Sequence, residues 1–518
     1  MNWRRWLGLA APPAAAPLSA AAPGAASLAM FEEGMTAARA GRQAEAAQCF
    51  EQALRSSPEF AAAHRELARA RIELDDLEAA ADALELAGHF NPGDAWTHFL
   101  LGLLAQRRGA AAPAIAHYRR ALELEPEFAE AHNNLGYLLA NDHDLADQAI
   151  AHFEAALRAK PHYVDAMINL GQADLYAGRR VQAIARFDAI LALNPGVADA
   201  QLAHLNRALG RLALRRWDAW DEYEARRQAL ALWTPRPFAF AEWDGLPAPG
   251  RTLLIYGEQG LGDEIMFASC IPDAARTTGR CIIECSPRLV PLFSRSFAGC
   301  QVVAASDDAG WLRAAPAIDL QIASGSLPRL FRRTAGSFPV HQGYLRADAA
   351  KAAAWRARLA ALGPQPKIAL SWRGGTAASR QAKRSIAAAG LAGALQGLAA
   401  DFISLQYGEV GPDLEAFASR GVHLNHWPEV VADYDETAAL LEGVDLVVSV
   451  CTALIHLGGA LGRPVWVLTP AFPEWRYGDS GEDMPWYPSV RLLRQNSPGD
   501  WISLLQTLQG ELRKKYPA

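Results

Sequence analysis

Two short stretches in the second half of the chain hold residues that could do chemistry together. In GEQGLGDEIMFASCIP, Gly260 and Gly262 permit a sharp turn from a strand into a helix, and Asp263 stands at the helix start. A carboxylate at that place is either a helix cap or a base facing whatever binds there, and Glu258 on the same loop is a second candidate. In VDLVVSVCTALIHLGGALGRPVWVLTP, a strand leads through a turn into a helix opening at Thr452. Free backbone N–H groups at that start, those of Thr452 and Ala453 among them, attract an anion such as a pyrophosphate. His456, one turn on, is either a donor to a phosphate or hydroxyl or a hydrogen-bonded core histidine. Between the two stretches, SWRGGTAASRQAKRSI puts Arg373, Arg380, Lys383 and Arg384 on a glycine-containing loop. Cations there either offset phosphate charge in place of a metal or form solvated surface.

The elements that must position these residues alternate between strand and helix. RTLLIYG, RCIIECS, QVVAA and IDLQIAS are short apolar runs, and after a helix near Lys351 to Leu362 the pattern restarts with KIALSWRGG, DFISLQY, VDLVVSV and PVWVLTP. Two such groups predict two parallel-sheet α/β domains, 251–350 and 351–518, facing each other across a cleft. Ligands of such sheets bind outside the carboxyl ends of the strands, where both turns lie.

The first half follows another rule. Gly34, Ala68, Gly102, Gly136 and Gly171 recur every 34 or 35 residues, and Pro58, Pro92, Pro126, Pro161 and Pro195 keep the same period. Small residues where helices touch, with a proline closing the second helix, predict a stacked helix-turn-helix solenoid. Further small residues at Ala46, Ala80, Ala114, Ala149 and Ala183, then Ala53, Ala87, Ala121 and Ala156, agree, with Ile190 breaking the last series. The solenoid is expected over 27–232, followed by a Pro- and aromatic-rich linker over 233–250. Trp217 and Trp220 are expected to cap the array and dock it onto the next domain. Asn134 and Asn169 would face the groove, where an amide bonds a peptide backbone of any sequence or simply meets water; Glu32, Glu66 and Leu100 take that place elsewhere.

The spacing resembles the tetratricopeptide repeat family, with five good repeats over about 27–195 and a divergent sixth to about 230. LGDEIMFASCIPDAA resembles the LGD-x-x-x-x-x-x-x-x-P signature of the family that transfers heptose to lipopolysaccharide core. With CTALIH and the tail FPEWRYGDSGEDMPWYPSVRLLRQ, the chain from about Trp217 onward looks like the glycosyltransferase domain that follows tetratricopeptide repeats in bacterial proteins. That resemblance implies two Rossmann-like domains in the GT-B arrangement, Asp263 as the base that deprotonates the acceptor, and phosphate contacts from Lys383, Arg384 and Ser385. It also implies a D-T-x-x-x-H pattern whose Asp contacts the donor sugar, where this chain has Cys451. A neutral thiol accepts hydrogen bonds weakly, so either the donor differs from the family's usual one or activity is reduced. Solenoid-bearing protein glycosyltransferases suggest the groove asparagines as acceptor ligands.

Composition limits the alternatives. A net charge of −6 over 518 residues argues against nucleic acid as the main partner. Six scattered cysteines form no secreted disulfide framework, so a cytoplasmic compartment is expected, with Cys281 and Cys285 as buried thiols rather than zinc ligands. The first 26 residues read as a disordered Ala/Pro-rich arm, and no later run reaches the ~20 apolar residues of a membrane span. Asp433-Tyr434-Asp435 matches a metal-holding DxD, but Asp433 with Glu436 also makes a capping box, so no metal is expected. The expectation is therefore a metal-independent transferase using a nucleotide-sugar co-substrate and a protein or peptide acceptor held by the repeats. A non-catalytic repeat scaffold and a lipopolysaccharide or polysaccharide transferase remain open.

Overall fold

The computed structural model describes residues 23–140, 145–229, 238–315, 317–375 and 381–517. The arm through residue 22, the insertion at 141–144 and Arg380 lie outside them. The chain divides into two compact units, Met1–Ala203 and His204–Ala518.

The first unit is a helical solenoid of tetratricopeptide type. Its pairs are Ala25–Arg39 with Gln43–Ser56, Ala61–Glu73 with Leu77–Phe90, Ala95–Arg107 with Ala111–Leu124, Ala129–Leu139 with Ala146–Ala159, and Val164–Tyr176 with Arg180–Ala192. Each periodic glycine meets a ring on the second helix of its own repeat. A Cβ built on Gly34 would lie 2.6 Å from Phe50, on Gly102 2.6 Å from Tyr118, on Gly136 2.9 Å from Phe153, and on Gly171 2.7 Å from Phe187. No side chain fits there, and the four rings are buried. Gly41, Gly109 and Gly178 end the first helix of their pairs at φ of 77°, 74° and 77°, the left-handed region in which glycine carries no Cβ penalty.

The second unit holds two parallel sheets. The first joins β1 (Ala241–Glu242), β2 (Ala248–Tyr256), β3 (Thr278–Cys285), β4 (Cys300–Ala304) and β5 (Leu320–Ala323) in the order β1-β5-β2-β3-β4. The second joins β6 (Lys367–Ser371), β7 (Asp401–Ser404), β8 (Leu424–His426), β9 (Leu446–Val450), β10 (Val465–Thr469) and β11 (Val490–Arg494) in the order β11-β10-β9-β6-β7-β8. Strands such as LVVSV in β9 are buried along their whole length, as parallel strands covered on both faces must be. In the first sheet the order reverses at β2, and in the second between β6 and β9. These are the switch points where doubly wound sheets open a crevice at their carboxyl ends.

Part of the expected linker belongs to this unit. Residues 241–242 form the edge strand β1, β2 already begins at Ala248, and Trp243 is buried. The unit also starts well before residue 232. Trp217 and Trp220 lie in its core, where Trp217 meets Phe338 and Trp220 meets Trp475 and Trp486 edge-on. Among the described residues no helix is long and apolar enough to cross a membrane.

Candidate functional site

The carboxyl end of β2 runs through Gly257–Gly260 into the helix Leu261–Ala268. Gly260 is the N-cap and supplies no side chain, so Asp263 sits in the first turn and is not the helix cap. Its Oδ1 instead accepts from Arg476 Nη2 at 2.6 Å. Burial pushes the Asp263 carboxyl above its ordinary range; the Arg476 guanidinium and the Gly260 backbone pull it down, and Glu474 pushes it up.

The turn after β9 lies directly against this one. A Cβ on Gly262 would stand 3.0 Å from His456 Cδ2 and 3.4 Å from Ala453 Cα, so a larger residue would wedge the two turns apart. Thr452 caps the helix Ala453–Ala460, its hydroxyl accepting from the Leu454 N–H at 3.3 Å and bonding the Ser449 hydroxyl at 3.0 Å. His456 is buried, with Nδ1 3.1 Å from the Tyr487 hydroxyl, and burial together with Arg476 lowers its pKa well below the ordinary value, leaving a neutral imidazole. The loop after β6 closes the other side: a Cβ on Gly374 would be 2.9 Å from the Cys451 carbonyl oxygen, and the Gly374 N–H donates to Ser385 Oγ at 3.4 Å. Cys451 itself is buried, and burial followed by Glu474 pushes its thiol up to about 12. It carries no charge at neutral pH.

The loop after β10 supplies what the sequence reading treated only as part of a matching tail. Glu474 accepts from Arg384 Nη1 at 2.7 Å and pairs with Arg476 on its other side. Asp263, Arg476, Glu474 and Arg384 thus form a ladder of alternating charge, brought together from the ends of β2 and β10 and the loop after β6. The Glu-x-Arg spacing in PEWRY, next to a predicted strand end, was the available signal.

The remaining candidates have other partners. Arg373, beside Gly374 on the loop after β6, pairs with Asp413 at 2.9 Å and donates to the Glu409 carbonyl, which ties it to the segment after β7. Lys383 is half-buried in the short segment Gln381–Arg384. Glu258 turns to Arg226, accepting at 2.6 Å from Nη2 and at 3.0 Å from the Gly325 N–H. Arg226 is fully buried and also bonds Glu224 and Ser326, which makes Glu258 part of an internal strut. Asp433 caps its helix through the Asp435 N–H at 2.8 Å, while Glu436 takes Trp355 Nε1 at 2.8 Å and Lys351, so the expected capping box is replaced by a simple cap. Among the described residues no three His, Cys, Asp or Glu side chains are grouped to hold a metal. Cys281 and Cys285 are buried, and Cys281 stands opposite Cys300 in register.

In the solenoid, the groove amides serve one another. Asn169 donates to Asn133 at 2.9 Å, Asn133 to Asn134 at 3.2 Å, and Asn134 to the Tyr118 hydroxyl at 3.4 Å. Asn133, which the sequence reading passed over, is the link, and Asn134 is buried.

Profiles described as TPR repeat and tetratricopeptide repeat match residues 31–95, 107–142 and 140–209. Among solved structures, PilW, described as a widely conserved type IV pilus biogenesis factor, is 24% identical, covering 40% of this chain and 94% of that one at a TM-score of 0.36. TTC0263, a TPR protein of Thermus thermophilus, is 21% identical over 36% of this chain and 100% of its own, with a TM-score of 0.31. Protein FlbA of Caulobacter vibrioides is 32% identical over 465 residues, which span 86% of this chain and 72% of FlbA. The chain carries tetratricopeptide repeats and belongs to the family of FlbA.

Proposed function

We propose that the protein is a glycosyltransferase whose second unit has the GT-B arrangement and whose repeats select a protein or peptide acceptor. The observation that carries this reading is the contact of the two switch points: Gly262 rests on Ala453 and His456, and Asp263 is tied to the loop after β10. A carboxylate, a helix start and two arginines then share one crevice. In the reaction, Asp263 accepts the proton of an acceptor hydroxyl as its oxygen attacks the anomeric carbon, and the nucleoside diphosphate leaves. The start of the helix Ala453–Ala460, with Arg384 and Arg476, meets the developing phosphate charge. Repeat arrays commonly hold peptides in a concave groove, which supports a protein acceptor.

Incubation of the full chain with nucleotide-sugar donors and cell extract, read by intact mass spectrometry of the extract proteins, tests the reading. Transfer by the wild type and a loss of at least about 100-fold in Asp263→Asn support it. A wild-type chain that neither transfers nor hydrolyses any donor favours a repeat scaffold, and label found only in lipid or polysaccharide moves the acceptor away from protein.

A further inference from the structure

Resting on that reading, we propose that Glu474 is the residue that grips the hydroxyl groups of the donor sugar. A sugar in the crevice at β6, β9 and β10 offers hydroxyl donors, and carboxylates take them in charge-assisted hydrogen bonds. Where the resembled pattern has its Asp, the turn after β9 carries the Cys451 thiol, which is buried and uncharged. Glu474 follows β10, the strand next to β9 in the sheet, and its charge acts on the Cys451 thiol. Its side chain is 37% exposed, whereas those of Arg384 and Arg476 are 13% and 16% exposed.

The geometry suits a binding group. Each carboxylate oxygen of Glu474 is held by a different arginine, Oε1 by Arg384 and Oε2 by Arg476. A carboxylate has about four acceptor positions, and these two arginines are the side-chain partners of Glu474 among the described residues, on a group whose orientation they already set. The other acidic side chains near these strand ends are engaged differently: Asp413 holds Arg373 and the Trp372 indole N–H, and Asp263 holds Arg476 from the opposite side.

The test is calorimetric titration of the full chain with UDP, GDP and ADP, each compared with its sugar ester UDP-glucose, GDP-mannose or ADP-glucose. The wild type is expected to bind one ester at least about tenfold more tightly than the matching diphosphate. Glu474→Gln should erase that advantage while diphosphate affinity holds or rises, since Arg384 and Arg476 lose a competing anion, and Glu474→Asp should keep part of the advantage. An ester advantage that persists in Glu474→Gln overturns the proposal. So does a parallel loss of diphosphate and ester binding, which would make Glu474 a holder of the arginines. If the wild type binds a diphosphate but no ester better, Glu474 has no sugar to hold while the crevice reading stands; if no diphosphate binds, the transferase reading falls with it.

Discussion

Arg476, on the loop after β10, donates to Asp263, in the first turn after β2, at 2.6 Å across 213 residues of sequence. The pair joins the carboxyl ends of two different sheets, and Arg476 turns its other face to Glu474. An arginine in that position pulls the Asp263 carboxyl back down against the larger upward push of burial.

Replacing Arg476 therefore has a directional effect. In Arg476→Ala the Asp263 carboxyl loses its cation and rises further, so the acid limb of kcat/KM should move up by about one pH unit or more. Arg476→Lys should bring the limb part of the way back. A limb that stays in place in both variants would mean that Asp263 is not the titrating base.

The strut beneath the β2 loop should be far less tolerant. Arg226 is fully buried and Glu258 is 3% exposed, with Glu258 Oε2 lacking a hydrogen-bond partner among the described residues. Glu258→Gln leaves a buried guanidinium without one of its anionic partners, and a loss of about 3–5 kcal/mol in urea unfolding is expected. Arg226→Met combined with Glu258→Gln should cost less than the sum of the single changes, because neither charge is then left alone.

In the solenoid, a substitution that usually helps a helix should harm it. Glycine to alanine inside a helix commonly gains about 1 kcal/mol. At Gly102 the new methyl would stand 2.6 Å from the Tyr118 ring, so Gly102→Ala should instead lose about 1–3 kcal/mol. Tyr118→Leu in the same chain should relieve much of that loss in a double-mutant cycle.

The repeats should also weaken in mild acid. His132 and His152 share a hydrogen bond between their Nδ1 atoms at 2.9 Å, and burial, then His132 and Arg119, push His152 down to about 4. An unfolded imidazole takes up its proton near pH 6.5, so between about 6.5 and 4 the unfolded chain binds more protons than the folded one. Stability from this site is complete above that window and falls as the pH drops through it. His64, His117 and His132 are lowered as well and act in the same direction. Urea midpoints at pH 7.5 and pH 5 should differ, and His152→Gln should reduce the difference; equal midpoints for the wild type would contradict the assignment.

Periodicity made the solenoid legible, because one size constraint recurs in four of the repeats at Gly34, Gly102, Gly136 and Gly171. The aromatic partners Phe50, Tyr118, Phe153 and Phe187 carry the same period and could have been found with them. The buried strands were legible as apolar runs, whereas β1 and β8 were not: two or three residues hold no pattern, and their pairing depends on neighbours distant in sequence. Asp263, Thr452 and His456 could be singled out as candidates because turns and helix starts have local signatures. Glu474 and Arg476 were not singled out, since a charged residue in a loop reads as solvated surface until tertiary structure places it between others. The pairing of Arg373 with Asp413 was equally hidden, because its partner lies further along the chain.

The position of Arg226 and Trp220 bears on how the molecule can be dissected. Both belong to the segment that sequence periodicity assigns to the repeats, yet Trp220 donates to the Arg332 carbonyl and Arg226 clasps the loop after β2. A fragment starting at residue 251, where the α/β pattern begins, would uncover the aromatic cluster and strand Glu258 as a lone interior anion. Beginning instead at the start of the helix Val197–Ala213, which runs through the boundary at His204, keeps the brace with the sheets it supports, and that is where a separable C-terminal half should begin.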